Sequence, residues 1–452
     1  MKKIFIIIWI ICLFCSCDDF LDIVPVGKLI PKKVKDYELM FNDDNTLKLL
    51  NMETFYGSPD FCMSDASFRA SSYFSRACYA WAKQVYDENS VSQSDWGNLY
   101  AEIYINNTIL SQINMAEGDD LLRKNVIAEA RARRAFSYLL LIGIYARQYD
   151  EVTAAGDLGV PLRLDSDVTG RAPARATVKE VYDFILKELT ESITDLPDVA
   201  KNRFRYDKTV AYSMLARTYW MMRKYSDAMK YADLALGVKH ELRNFNEENP
   251  DDYPLTFEQN PEFYLFRYFQ TTYWGLNGVN VSEEFYNLFP KDNTDNRAKF
   301  WIRDKNEVLD SVWFLPSTMM TVAPTVPEMY LIRAEAYARK GDAASLKSAM
   351  ADVNIIRQHR LVKRGYQDIP VNTQKVVIDI ILQERRKDIN LMGGLGWFDL
   401  KRLNKESGYA RILSRTVNGH TYTLEPNSNN YVLPVPYDVL RLNSAIKDNP
   451  RN

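Results

Sequence analysis

At 452 residues, with 46% hydrophobic and 26% charged side chains, the chain is long enough for one large domain or roughly two to three ordinary ones with a true core. Fifty-seven basic residues against 59 acidic ones leave a net charge of −2, and no basic face stands out, which argues against a nucleic-acid partner. The outlier is aromatic content, 28 Tyr, 21 Phe and 8 Trp, which points to an aromatic core, rings displayed for binding, or both.

The first elements concern location. Lys2 and Lys3 precede an apolar run over residues 4–14, which ends in Phe14-Cys15-Ser16-Cys17. That is the pattern of a secretory signal peptide, residues 1–16. The run is shorter than the roughly 20 residues a bilayer-spanning helix needs. A cysteine directly after the small Ser16 makes it a bacterial lipoprotein signal, with Cys17 as the expected lipidation site. Two or more acyl chains give durable anchoring where one would not. Asp18, Asp19 and Asp22 follow instead of a basic cluster, so the anchor is lipid and not electrostatic. Residues 17–33, with Pro25, Gly27 and Pro31, read as a lipidated tether, and residues 34–452 as a single α-helical domain. With Cys12, Cys15 and Cys17 set aside, only Cys62 and Cys78 remain, and an oxidising compartment permits a disulfide between them.

Residues 34–50 carry a helical pattern, and residues 51–95 read as loops with short helices. From Trp96, the residues Tyr100, Ile103, Asn107, Leu110 and Ile113 mark one helix face, and residues 122–147 form a second helix. Val178, Val181, Tyr182, Ile185 and Leu189 trace another, with Thr177 as N-cap and Glu180 as its capping-box partner. Residues 208–237 resemble a tetratricopeptide repeat: Leu215, Ala216 and Tyr219 on one helix, then Ala228, Ala232 and Ala235 on the next, with Tyr212 where the usual Trp stands. A looser copy runs from Tyr330 through a turn at Gly341-Asp342, and further pairs are expected to start at Tyr138 and near Ile378. The helical-pair units fall at about 96–146, 178–237 and 327–403. The predicted fold is therefore mostly α, a tetratricopeptide-like scaffold with long irregular loop regions and minor β.

Two irregular stretches interrupt the helices. Residues 240–325 are broken by Pro250, Pro254, Pro261, Pro290, Pro316 and Pro324, and contain a β-prone run over 263–269. Residues 408–436 form the second. Binding residues concentrate on such segments when a rigid frame holds them. A sugar presents a face of C–H groups that packs on Trp or Tyr, with polar partners around its rim. On that chemistry Tyr73, Arg76, Tyr79 and Trp81 form one candidate ligand cluster. Tyr273, Trp274 and Asn277 form another, and Trp313 is a third candidate. Trp96, Trp220 and Trp397 sit inside helical patterns and read as core. Arg131, Arg134, Glu384, Arg385 and Asp388 read as structural ion pairs between helices. Asp292, Asp295 and Asn296 lack the alternation and glycine of a calcium loop and read as a solvated turn.

Signals for catalysis are thin. His240, His359 and His420 stand far apart, and there is no phosphate loop, nucleophile elbow or HExxH. No catalytic residue, metal ligand or cofactor is assigned. A glycosidase needs only two carboxylates about 5–9.5 Å apart, which sequence does not test.

The assembled pattern resembles the SusD/RagB-like nutrient-binding outer-membrane lipoproteins of the Bacteroidetes. The resemblance rests on order and spacing across nearly the whole chain: Cys17-Asp18-Asp19-Phe20-Leu21-Asp22 with Pro25, then Trp96, Tyr100, Ile103 and Asn107. Glu129-Ala130-Arg131-Ala132-Arg133-Arg134-Ala135, Gly159-Val160-Pro161-Leu162 and Arg175-Ala176-Thr177-Val178 continue it. Ala334-Glu335-Ala336, Glu384-Arg385 with Asp388, Trp397-Phe398-Asp399-Leu400-Lys401-Arg402, Leu433-Pro434-Val435-Pro436 and Asn449-Pro450 complete it. The sequence departs at Met392-Gly393-Gly394-Leu395-Gly396, where the family more often carries an acidic residue and an Arg. The resemblance implies a non-enzymatic, surface-exposed protein of the outer membrane. It captures oligosaccharide, or peptide in some members, and acts as a lid for a SusC-like TonB-dependent transporter barrel. It also implies that the ligand site is built from the two irregular regions that carry these aromatic clusters, the N-terminal one around Tyr73–Trp81 and the one around Tyr273–Asn277. A surface glycoside hydrolase is the enzymatic alternative.

Overall fold

The computed structural model describes residues 31–42, 53–87, 94–167, 169–170, 173–248, 259–267, 279–301, 321–389 and 394–452. The leader, Cys17 and most of the tether thus lie outside the described residues. Among those described, no helix is long and apolar enough to cross a membrane.

The N-terminal third begins with α1 (Val34–Leu39), which passes into a 3-10 turn over Met40–Asn42. Short elements follow: α2 (Glu53–Gly57), β1 (Phe61–Met63), α3 (Asp65–Ala70) and α4 (Tyr73–Tyr79). Two long antiparallel helices, α5 (Asp95–Gln112) and α6 (Asp120–Tyr145), form the first pair. Tyr138 lies in the middle of α6 and not at the start of a unit, because the apolar stripe runs unbroken through this 26-residue helix. A small sheet of β2 (Leu158–Pro161) and β3 (Arg175–Thr177) leads into α7 (Val178–Ser192). There the expected capping box is complete: Thr177 Oγ1 accepts from the Glu180 N–H at 3.2 Å, and the Glu180 carboxylate accepts from the Thr177 N–H at 2.8 Å.

The repeat-like hairpin is α8 (Lys208–Met221) and α9 (Tyr225–Val238). Ala228, Ala232 and Ala235 are fully buried against α8, so small residues on one helix admit large ones from the other. Outside that contact, Tyr231 stacks on Tyr219 at 5.6 Å between ring centroids. The chain then departs through β4 (Val279–Val281), α10 (Glu283–Tyr286) and α11 (Arg297–Trp301). It returns at α12 (Val326–Lys340), α13 (Ala343–Arg360), α14 (Gln374–Ile389) and α15 (Leu395–Leu403). Gly341 ends α12 in the left-handed region, φ 80°, and Asp342 caps α13 by accepting from the Ser345 N–H at 3.0 Å. Because α9 packs directly on α12, the two repeat-like pairs stack on each other, and residues 239–325 are an excursion from that stack.

Two expectations change. Residues 263–267 are not a strand: only Phe263 bridges, to Thr325, and the Phe266 N–H goes to the Arg203 carbonyl, so the run has no ladder with a neighbouring strand. Conversely, the 408–436 stretch contains a regular hairpin, β5 (Leu413–Val417) with β6 (His420–Leu424). Its turn is Asn418-Gly419, with φ of 50° and 73°, the geometry that an Asn-Gly pair favours. The chain ends on α16 (Tyr437–Leu442) and an extended tail. Most of the apolar core is one continuous cluster, and a smaller one docks Val34, Tyr37 and Phe41 onto α5 and α6.

Candidate functional site

Short polar-capped helices build the first candidate cluster. Ser72 caps α4 by accepting from the Ser75 N–H at 3.1 Å, which places Tyr73 in the first turn. Tyr73 is 44% exposed, and its hydroxyl donates to the Gln84 carbonyl at 3.2 Å. Arg76, three residues on and therefore on the same face, is half-buried and donates to the Ser71 carbonyl at 2.5 Å. The pair forms a ring and a cation side by side at the surface.

Tyr79 and Trp81 are placed differently from the expectation. Both are buried, and the Arg415 guanidinium lies 4.1 Å from each ring centroid. The Trp81 indole donates to the Gly57 carbonyl at 2.9 Å, and the Tyr79 hydroxyl accepts from the Met63 N–H at 3.1 Å. These rings are packed against the β5–β6 hairpin and have no face left for a ligand. Burial pushes the Arg415 pKa down to about 10, and its charge is met by the carbonyls of Tyr56, Gly57, Ser58 and Tyr79. Of the first cluster, Tyr73 and Arg76 stay at the surface, and Tyr79 and Trp81 are buried.

Tyr273, Trp274, Asn277 and Trp313 lie outside the described residues. The segment that contains them is closed at its neck: the Val322 N–H donates to the Arg267 carbonyl at 3.0 Å, and the Arg267 N–H to Thr321 Oγ1 at 3.0 Å. The Arg267 side chain is buried and bidentate on Glu102 of α5, at 2.6 and 2.9 Å. Within that excursion, β4 pairs antiparallel with β1, setting Val279 opposite Met63 and Val281 opposite Phe61. The N-terminal region of the first candidate cluster is therefore hydrogen-bonded directly to the excursion that carries the second.

The remaining polar residues act structurally. Arg134 of α6 holds Glu188 of α7 at 2.5 Å and Asn107 of α5 at 2.7 Å, and Arg131 pairs with Glu191. Arg385 bridges Asp399 at 2.9 Å and Glu328 at 3.1 Å, while Glu384 and Asp388 both receive Arg297, at 2.7 and 3.0 Å. Asp295 belongs to the same buried knot, bonded by Arg297 at 2.7 Å, and is not the solvated turn residue expected. Trp220 lies between Arg385 and Arg402, 4.0 and 3.9 Å from its ring centroid, and donates to Glu335 at 2.8 Å. Trp96 and Trp397 are also core. Cys62 and Cys78 are both thiols, and Cys62 donates to the Val281 carbonyl at 3.5 Å.

Two family matches cover most of the chain. Residues 19–220 match the SusD-like family described as "Starch-binding associating with outer membrane", and residues 326–451 match the SusD family. Among curated proteins there is no match to this sequence. A SusD superfamily protein from Bacteroides thetaiotaomicron superposes with a TM-score of 0.74 at 19% identity, over 93% of this chain and 100% of that one. One from Bacteroides vulgatus gives 0.74 at 21%, over 93% and 99%. A structure from the same species titled a SusD-like carbohydrate binding protein gives 0.64 at 20%, over 92% and 97%. At these identities the structures establish a shared fold, and the family matches independently place both ends of the sequence in the same group. The chain belongs to the SusD/RagB-like family.

Proposed function

We propose that this protein is a lipid-anchored, surface-exposed outer-membrane protein that binds oligosaccharide and hands it to a SusC-like TonB-dependent transporter. The observation that carries the binding site is the β1–β4 pairing. It joins the region of exposed Tyr73 and half-buried Arg76 to a strand that begins two residues after Asn277 in the sequence. The site is assigned to Tyr73 and Arg76 with Tyr273, Trp274 and Asn277, and with Trp313 from the same excursion. Family descriptions of starch binding and outer-membrane association support the ligand class and the location.

The test uses the body lacking residues 1–17 against parallel panels of glycans and peptides. Saturable binding to a glycan, lost in Tyr73→Ala and Trp274→Ala with melting temperature unchanged and with the glycan recovered uncut, supports the reading. Binding confined to peptides replaces the ligand, and cleavage replaces the role. In the intact cell, Cys17→Ala abolishes incorporation of labelled palmitate, and gentle-detergent purification recovers a large β-barrel partner; repeated recovery of the protein alone counts against the lid role.

A further inference from the structure

Trp81, Trp96, Trp220 and Trp397 are buried, and three of them spend their indole N–H inside the protein. Trp81 donates to the Gly57 carbonyl at 2.9 Å, Trp220 to Glu335 at 2.8 Å and Trp397 to the Tyr431 carbonyl at 3.1 Å. Trp96 is the exception. It is only 4% exposed, yet its indole N–H has no hydrogen-bond acceptor among the described residues. The indole nitrogen is not among the sealed, unpartnered polar atoms of the described residues, so its N–H opens toward accessible space. This indole lines a cavity of about 590 Å³ between α5, β2 and α16, within the roughly 300–1,000 Å³ typical of small-ligand sites.

The walls suit a flat ring. Trp96 and Tyr100 stand with centroids 5.1 Å apart, and Val439, Leu442 and Ile446 line the cavity from the C-terminal end of the chain. They are also held in place before any ligand arrives. The Trp96 backbone N–H donates to the Tyr145 hydroxyl at 3.1 Å, its ring packs edge-to-face on Tyr145 at 5.0 Å, and the Tyr100 hydroxyl donates to the Pro161 carbonyl at 2.7 Å. Preorganised walls lower the ordering cost of binding. At the rim, the Ser444 hydroxyl makes no hydrogen bond to any described residue and can donate or accept. Arg163 is the one charged residue among the described lining; its guanidinium already donates to the Asp167 carbonyl and lies 3.7 Å from Asp165. Among the described lining residues, an anionic ligand would find no unspent cation.

We infer that this cavity is a second binding site, separate from the Tyr73 surface, for a neutral sugar ring. C–H faces pack on Tyr100 and the aliphatic side chains, and a sugar oxygen accepts from the edge of the Trp96 indole. The ligand class rests on the carbohydrate-binding reading above; the site itself rests on the cavity and the unspent donor. Two sites on one body would let a single long glycan be held at two points, so that the second contact is made at high effective concentration.

The full chain in detergent micelles, labelled with 5-fluorotryptophan, gives one ¹⁹F line per tryptophan. The Trp96 line is assigned by Trp96→Phe and, should that variant fold poorly, by the line that Ser444→Leu shifts from its exposed rim position. Neutral trisaccharides of gluco, manno, galacto and xylo configuration are titrated. The expected result is a saturable shift of the Trp96 line by at least one of them. That shift should weaken at least tenfold in Ser444→Leu and persist in Tyr73→Ala. If other tryptophan lines respond while Trp96 stays still, the second site is wrong and the carbohydrate reading stands. A Trp96 response to uronic-acid oligomers alone overturns the neutral class, and silence of every line overturns both readings.

Discussion

The guanidinium of Arg415 lies 4.1 Å from the centre of the Trp81 ring, joining the C-terminal hairpin to the N-terminal irregular region. It also donates to four backbone carbonyls of that region, between 3.0 and 3.2 Å. A planar fork of donors reaches several carbonyls at once while its flat face stacks on an aromatic ring, which an ammonium does not do. Arg415→Met leaves those carbonyls buried without donors and should destabilise the protein by about 3 kcal/mol or more. Arg415→Lys should recover only part of this. Urea unfolding midpoints decide it, and a Lys variant equal to wild type would remove the geometric argument.

Glu328 is fully buried between Arg217, at 3.0 and 2.5 Å, and Arg385, at 3.1 Å. Glu328→Gln leaves the buried Arg217 without a carboxylate and Arg385 with Asp399 alone, and should cost about 3–5 kcal/mol, whereas replacing Glu328 and Arg217 together by apolar residues should cost less than the sum of the single changes. A double-mutant cycle in denaturant measures the difference.

Ala228 has no exposed surface where α9 meets α8. Ala228→Leu overpacks that contact and should cost about 1–3 kcal/mol, whereas Ala→Leu at a solvent-facing helix position is nearly neutral. An unchanged unfolding midpoint would undercut the repeat-like packing.

Acid should unfold this protein through its ion-pair knots. Burial alone would raise the Glu384 carboxyl, but Arg297, Lys387 and Arg357 overcome it and hold its pKa at about 2. Glu335, between Arg402 and Arg339, is likewise held at about 2. A depressed carboxyl pKa contributes stability that is fully present above the unfolded value near 4.5 and is lost as pH falls toward 2. Glu384→Gln should therefore narrow the gap between stability at pH 6 and at pH 3, read as the change in melting temperature.

Lys401 should act at the other end of the scale. Burial, and then the charge of Lys405, push its ammonium down to about 7, while Nζ donates to the carbonyls of Gly143 at 2.6 Å and Ala146 at 2.7 Å near the end of α6. The unfolded chain keeps that proton up to about pH 10.5, so between pH 7 and 10.5 the unfolded state binds more protons and stability rises with pH. The difference in unfolding midpoint between wild type and Lys401→Met should grow over that window; a constant difference would show that Lys401 titrates normally.

Much of the frame could be read directly from residue order, because helices advertise themselves locally. The Thr177–Glu180 capping box, the Ala228/Ala232/Ala235 stripe and the Gly341-Asp342 turn each depend on neighbours within a few positions, and each recurs in the fold as expected. Asn418-Gly419 carried an equally local hairpin signal that the reading of 408–436 as irregular passed over. Residues 263–267 of the β-prone run misled because propensity does not supply a partner strand.

Long-range placement is another matter. Tyr73 and Trp81 look alike as aromatics in a polar stretch, yet one stands at the surface and the other is sealed by Arg415. No local pattern links Tyr79 to a side chain 336 positions away, or Met63 to Val279. The family, the helical pairs and the core tryptophans follow from periodicity and order along the chain. Which rings stay open for a ligand follows from contacts that exist only once the two ends of the chain have packed together.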